Sequence, residues 1–232
     1  MTPHPLLVNP ALPALFPATA SEIRALSDAI SPARLSTYRK RAHENARRAL
    51  ALYAWNVDAA AALYPVLQVN EITLRNAVNR AVVSQFGVAW PYSRGFLRAL
   101  PTYERTTFEN ARAKLERTLG VARASAGDVV ASQSYWFWVF LLTARFERRI
   151  WSREFGTAFP RAPPGITREI VRSRTDAIRH IRNRIAHHEP ILGPNPVGVH
   201  QRASSIVRWI SPAQARWIDV RWPAARRVLI LP

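Results

Sequence analysis

Apolar residues along this chain recur every three or four positions, which is the period of a helix that packs on one side. The pattern is clearest over residues 58–86, and Gly87 is placed to end that run. Residues that start and stop helices recur between the apolar runs, whereas the apolar–polar alternation typical of strands is not sustained. The pattern therefore predicts an all-α fold.

Caps and breakers divide the chain into predicted helices. Ser31-Pro32 supplies an N-cap and a first-turn proline, so we expect a long helix from there to about Trp55. Ser132 or Ser134 should begin an aromatic-rich helix that continues to about Trp151. Its aromatic residues favour core packing over a base-stacking platform. Further segments are predicted over residues 58–67, 68–86, 102–119 and 167–188, with a short helical turn at residue 21 and another segment at residue 127.

The helix predicted over residues 167–188 has an apolar side and a polar side. At about 100° per residue, the apolar side carries Ile170, Val171, Ile178, Ile181 and Ile185. The nearly opposite side carries Asp176, His180, Asn183 and His187, with Arg182 at the edge of the apolar stripe. A symmetric dimer would place two such polar rows across a shared cleft.

Composition and proline spacing suggest three regions. Residues 1–20 should form an extended, proline-rich arm, residues 21–200 a helical domain, and residues 201–232 a basic helical tail packed on or appended to that domain. Arginine–tryptophan pairs occur at residues 208–209, 216–217 and 221–222. Such pairs can bind single-stranded nucleic acid by charge and stacking, or the tryptophans can anchor a helix to the domain.

The chain is strongly basic, with 33 Lys+Arg against 15 Asp+Glu and a formal charge of +18. Such a charge attracts polyanions, with nucleic acid the first candidate and an anionic membrane surface the second. The alternative is compositional, because genes rich in G and C favour arginine, alanine and proline.

Several classes of protein and site are excluded or unsupported. The chain has no cysteine, which rules out disulfides and thiolate metal sites and permits a reducing cytoplasm. It has no phosphate loop, dinucleotide fingerprint, His-Glu-x-x-His pair or serine elbow, so we expect no cofactor and no metal. The start does not resemble a signal peptide, and the most apolar stretch, residues 135–143, is too short to span a bilayer. We therefore expect a soluble, cytoplasmic protein with no membrane partner.

The run Arg182-Asn183-Arg184-Ile185-Ala186-His187-His188-Glu189-Pro190-Ile191 carries the clearest chemistry. Arginine binds phosphate in a bidentate way, and histidine exchanges protons near neutrality. An arginine, an amide and two histidines at a helix end are the groups that metal-free RNA cleavage needs. The carbonyl end of the helix dipole also favours a protonated His187 as an acid.

This run resembles the Arg-x4-His signature of HEPN domains, and its longer form resembles the Abi-like (abortive infection) bacterial proteins. Four further stretches of the chain are similar to that family: residues 31–38, 51–56, 71–77 and 127–138. The similarity covers roughly residues 31–195, and the Glu71 segment is its second specific part.

The resemblance implies an all-α HEPN bundle that dimerises to form a composite, metal-independent ribonuclease site. His187 would move the proton of the 2′-OH or protonate the leaving 5′-oxygen, Arg182 would hold the scissile phosphate, and Asn183 would bind the imidazole or phosphate. The resemblance also suggests supporting roles for Glu71, Arg75, Asn76 and His188. RNA-binding arginines would be Arg179, Arg184, Arg208, Arg216 and Arg221.

The expected partners are a second copy of the chain, RNA (tRNA, mRNA or phage RNA) and a possible antitoxin or regulatory protein. The implied role is a toxin of phage defence.

Each residue has a structural alternative. Arg182 can cap its helix or pair with Glu71, and His187 or His188 can hydrogen-bond the last carbonyls. Asn183 can orient its neighbours without taking part in chemistry. At the level of the protein, the alternatives are a noncatalytic RNA-binding or partner-sensing HEPN protein, and a basic interaction protein that acts through its tail.

Overall fold

The computed structural model describes residues 19–193 and 195–223. These residues form helices and turns with no strand, which confirms the all-α prediction. The predicted arm falls almost entirely on residues 1–18, which lie outside the described residues. The α-helices are α1 (Ala20–Ile30), α2 (Pro32–Arg41), α3 (Ala46–Phe86), α4 (Arg94–Ala99), α5 (Thr102–Leu119), α6 (Ala126–Ser132), α7 (Tyr135–Leu141), α8 (Ser152–Ala158), α9 (Arg168–Ala186), α10 (Pro196–Ile210) and α11 (Pro212–Arg221).

The long helix predicted from Ser31 to about Trp55 is wrong in its middle. Ser31 does cap α2, accepting a hydrogen bond from the Arg34 amide at 3.3 Å. The helix then stops, because His43 and Glu44 adopt left-handed backbone angles with φ of 50° and 60°. Asn45 restarts the chain as α3 by accepting a 2.9 Å hydrogen bond from the amide of Arg48. No glycine or proline marks this break, and the helical spacing of apolar residues continues across it. The pattern therefore predicted one continuous helix.

Helix α3 is 41 residues long and contains Pro65. Among the described helices, it is the one that is long and apolar enough to cross a membrane, judged by length and composition alone. Of its most apolar stretch of 18 residues, 44% is buried inside the protein. Core helices of globular proteins meet the same test, so this feature is weak evidence of a span.

The aromatic helix predicted to reach Trp151 is interrupted. After α7 ends at Leu141, the chain passes through a 3₁₀ turn (Ala144–Phe146) and a π turn (Glu147–Trp151) before α8. The aromatic residues are largely core, as expected: Tyr135, Trp138 and Phe140 are buried.

The fold contains two compact units, and each is described by itself. The first comprises residues 19–67, 180–201 and 219–223 of the described chain, and the second comprises residues 68–179 and 202–218. Helices α3 and α9 each supply residues to both units. The core of the first unit includes Leu35, Tyr38, Ala42, Ala49, Leu50 and Leu52.

The second unit has an aromatic core and a buried polar link. The rings of Trp90, Phe96 and Phe108 pack with centroids 4.6–5.8 Å apart. Asn70 accepts a 2.5 Å hydrogen bond from the Tyr135 hydroxyl and donates one of 3.1 Å to the carbonyl of Ala203. The part of α10 from residue 202 onward therefore belongs to this core.

Candidate functional site

The buried side of α9 is the side that the sequence predicted. Val171 and Ile178 are fully buried and Ile181 is 8% exposed, whereas Ile170 and Ile185 are half-buried. On the predicted polar side, His180 and His187 are exposed, and Asp176 and Asn183 are half-buried. The motif side chains accordingly surround the C-terminal end of α9, with Arg182 half-buried.

The end of α9 is closed by a Schellman motif. The Glu189 amide donates to the carbonyl of Arg184 at 2.7 Å, and the His188 amide donates to that of Ile185 at 3.0 Å. His188 takes the left-handed position of this motif, with φ 56°, which glycine or asparagine usually occupies. His187 precedes it as the C-cap, and its amide donates to the carbonyl of Asn183 at 2.9 Å.

Three side chains of the first unit hold this turn in place. Arg34 Nη1 donates to the carbonyl of His188 at 2.6 Å. Arg184 donates from Nε and Nη2 to the carbonyl of Pro190 at 3.0 and 2.6 Å, and its Nε lies 3.8 Å from the Glu189 carboxylate.

The third holding side chain is buried. Asn56, 6% exposed, accepts a 2.7 Å hydrogen bond from the amide of Ile191, itself 1% exposed. Together these contacts fix the backbone on which His187 is mounted, while its imidazole remains exposed.

The side chains of His187 and Arg182 are of the kinds that phosphodiester cleavage uses. Arginine neutralises phosphate charge, and an exposed imidazole can give or take a proton. The half-buried amide of Asn183 supplies both a donor and an acceptor on the same helix end.

An open cavity of about 530 Å³ lies beside the turn, within the first unit. One wall is the face of α3 that carries Tyr53, Asn56, Val57, Ala60, Ala61 and Tyr64. The end of α9 contributes Ile185, Ala186, His188 and Glu189, and Arg34 of α2 completes the lining.

Tyr38 lies under this region with its hydroxyl buried and without a hydrogen-bond partner. Its ring meets that of Tyr53 edge-on, with centroids 5.4 Å apart. Burial, the largest cause, and the neighbouring Tyr53 raise the pKa of Tyr38 to about 12, against the lowering effect of Arg34 and Arg184. Tyr38 is therefore a neutral packing residue at ordinary pH.

The predicted supporting cluster belongs to the second unit. Glu71 and Arg75, four residues apart on α3, are half-buried, and Asn76 is exposed. The Nε atom of Arg75 is buried without a hydrogen-bond partner. Because the motif lies in the first unit, the association of this cluster with Arg182 and His187 stays a prediction.

The five predicted RNA-binding arginines have different surroundings. Arg184 holds the turn, as described above. Arg179 pairs with Asp176 at 2.8 Å and stacks 5.0 Å above the half-exposed Trp136 ring. The remaining three, Arg208, Arg216 and Arg221, are exposed, and Arg221 lies 5.8 Å from the Trp222 ring.

Sequence reasoning assigned no site role to Arg34, Tyr38 or Asn56. Asn56 carried one signal, since an asparagine on the apolar face of a core helix needs a buried partner. Arg34 carried no such signal, because the carbonyl that it binds is more than a hundred residues away in the chain. Tyr38 carried none either, because its hydroxyl has no hydrogen-bond partner.

Within residues 19–193 and 195–223, no three His, Asp or Glu side chains are grouped closely enough to hold a metal ion. Comparisons with protein-family models, with curated proteins and with solved structures give no match.

Proposed function

We propose that this protein is a metal-independent endoribonuclease of the Abi-like HEPN type, with Arg182 and His187 as its catalytic residues. One observation carries the proposal: the end of α9 exposes His187 on a turn held by Arg34, Asn56 and Arg184, beside an open cavity. Pre-organised backbone of this kind is what a proton-transfer group requires.

The proposed reaction is transesterification within RNA. The 2′-oxygen attacks the adjacent phosphorus, the bond from phosphorus to the 5′-oxygen breaks, and a 2′,3′-cyclic phosphate forms. His187 takes the 2′ proton or delivers a proton to the leaving 5′-oxygen, and Arg182 stabilises charge on the phosphoryl oxygens. Asn183 orients the imidazole or the phosphate.

The formal charge of +18 supports RNA as the substrate class, because it lowers the free energy of any bound polyanion. The polar row of α9 supports a homodimer in which two motifs share one cleft. The resemblance gives Glu71, Arg75 and Asn76 a supporting role. The proposed setting is a bacterial cytoplasm, where the protein acts as a phage-defence toxin restrained by an antitoxin or regulatory partner.

The test compares wild type with His187→Ala and Arg182→Ala for cleavage of total RNA and tRNA in EDTA, with analysis of the product ends. His43→Asn is a matched histidine control, since His43 is exposed outside the motif and asparagine tolerates its left-handed backbone. Arg24→Ala, on exposed α1, is the arginine control. Cleavage by wild type and both controls, with 2′,3′-cyclic or 3′-phosphate ends and at least a hundredfold loss in the two motif variants, would support the proposal.

Two outcomes would contradict it. Equal cleavage by His187→Ala and wild type would place the activity elsewhere or identify a contaminant. Equal RNA binding by all five proteins, without cleavage by any, would favour the noncatalytic RNA-binding alternative.

A further inference from the structure

The cavity beside the motif has an apolar floor made of small residues. Val57, Ala60 and Ala61 come from one face of α3, and Ala186 faces them from the end of α9. Alanines leave more room here than larger apolar residues would. A volume of about 530 Å³ exceeds what a single planar base needs.

An aromatic ring stands at the edge of this floor. Tyr64 is 59% exposed, although a tyrosine ring ordinarily loses most of its surface on folding. Tyr53, also on the wall, is half-buried against Tyr38. The cavity therefore offers a planar apolar surface that its own chain leaves largely uncovered.

The rim carries a guanidinium group. Arg34 is exposed, and its Nη1 donates to the carbonyl of His188, which restricts the positions that the guanidinium takes. Glu189 lines the same rim, but its carboxylate lies 3.8 Å from Arg184, which offsets its charge. An anionic group next to an apolar ring is the ligand chemistry that this arrangement fits.

We infer that this cavity binds one nucleobase of an RNA strand, stacked on Tyr64, with the neighbouring phosphate at Arg34. A base supplies the planar apolar surface, and its strand supplies the anion. The inference rests on the proposed function for the identity of the strand, and it adds a subsite that positions the nucleotide flanking the phosphate cleaved at His187.

The test measures binding, so it does not depend on cleavage. Fluorescence anisotropy would follow 2′-O-methyl RNA dodecamers, which lack the 2′ nucleophile, and an abasic deoxyribose-phosphate dodecamer of equal charge. The variants are Tyr64→Ala, which removes the ring, and Ala61→Leu, which fills the floor at an exposed helical position. Tyr103→Ala is the matched control, because Tyr103 is 78% exposed on α5 and lies outside the cavity.

We expect Tyr64→Ala and Ala61→Leu to bind the RNA probe about tenfold more weakly than wild type. Both should bind the abasic probe as wild type does, and Tyr103→Ala should match wild type with both probes. In cleavage assays the two cavity variants should raise KM and leave kcat within about threefold, whereas His187→Ala lowers kcat.

Other results would overturn the inference. Equal weakening of both probes would show that the cavity senses charge alone, and no weakening would show that bases bind elsewhere. Conversion of a dimer to a monomer by Tyr64→Ala, measured by light scattering, would assign the cavity to contact with a second copy. RNA-specific weakening without any cleavage by wild type would keep the subsite and reject the proposed nuclease.

Discussion

At the scale of single residues, the two adjacent histidines of the motif occupy different backbone positions. His187 is the C-cap of α9 with an exposed side chain, whereas His188 adopts a left-handed φ of 56° and holds the turn through its backbone amide and carbonyl. The motif spacing favoured His187 over His188, but backbone conformation is not visible in residue identity. Both side chains are exposed, and of the two only His188 has a left-handed backbone.

His188→Gly should stabilise the protein by about 1 kcal/mol, because glycine adopts a left-handed conformation without the steric cost that histidine incurs. The hydrogen bonds at residue 188 use backbone atoms and remain. Urea unfolding would measure the change. RNA cleavage by this variant should stay within about threefold of wild type; loss of cleavage would give His188 a chemical role.

Tyr38→Phe should stabilise the protein by about 1 kcal/mol at pH 8, because it removes a buried hydroxyl that has no hydrogen-bond partner. Burial raises the pKa of Tyr38 to about 12 in the folded protein, from the ordinary tyrosine value of 10.0 that holds when the chain is unfolded. Stability present below pH 10 is therefore lost as pH rises toward 12, because only the unfolded state releases the proton.

The phenylalanine variant should lose less stability over that alkaline range. Burial also raises the pKa of Tyr92, so part of the alkaline loss of stability should remain in this variant. Urea unfolding at pH 8 and at pH 11 measures both effects. An unchanged alkaline loss in Tyr38→Phe would mean that Tyr38 is not protonated preferentially in the folded state.

At the scale of elements, caps and periodicity located most helices. The predicted end of α5 at residue 119 and the caps at Ser31 and Ser134 all occur in the structure. The break before α3 was missed because His43 and Glu44 are unusual residues for left-handed backbone. The contacts that hold the motif turn join distant segments, so no local pattern could have indicated them.

Arg184→Ala should destabilise the fold by about 1 kcal/mol, because it removes the two hydrogen bonds to the carbonyl of Pro190 from a partly exposed side chain. Arg208→Ala, at an exposed position on α10, is the comparison. Thermal unfolding should separate the two variants. If Arg184→Ala unfolds like wild type and loses RNA affinity instead, its main role is binding.

At the scale of the whole molecule, the two compact units do not follow the order of the chain. Residues 180–201 belong with residues 19–67, whereas residues 202–218 belong with the intervening segment. The sequence suggested a boundary near residue 200 because basic and aromatic residues increase there. Helix α10 crosses that position, and the division between the two units also falls there, between residues 201 and 202.

A chain that ends after Gly198 should therefore fail to fold cooperatively. It would lose core residues of the second unit, including Ala203, Ile206, Val207, Trp209 and Ile218. Removing several buried side chains costs more than the marginal stability of a typical domain. Circular dichroism should show a broad or absent thermal transition. A sharp transition near that of the full chain would mean that the C-terminal region is dispensable.

The contacts that hold the motif turn join segments that the ribosome makes at different times. The hydrogen bonds from Asn56 to Ile191 and from Arg34 to His188 join residues 135 and 154 positions apart. At about 5–20 residues per second, the ribosome needs on the order of ten seconds to make the segment between them. Arg34 and Asn56 are therefore made well before the turn that they hold, and the region beneath His187 is incomplete until residues 188–191 have been made. On the proposed function, a nascent chain beside its own messenger RNA would carry an unfinished site.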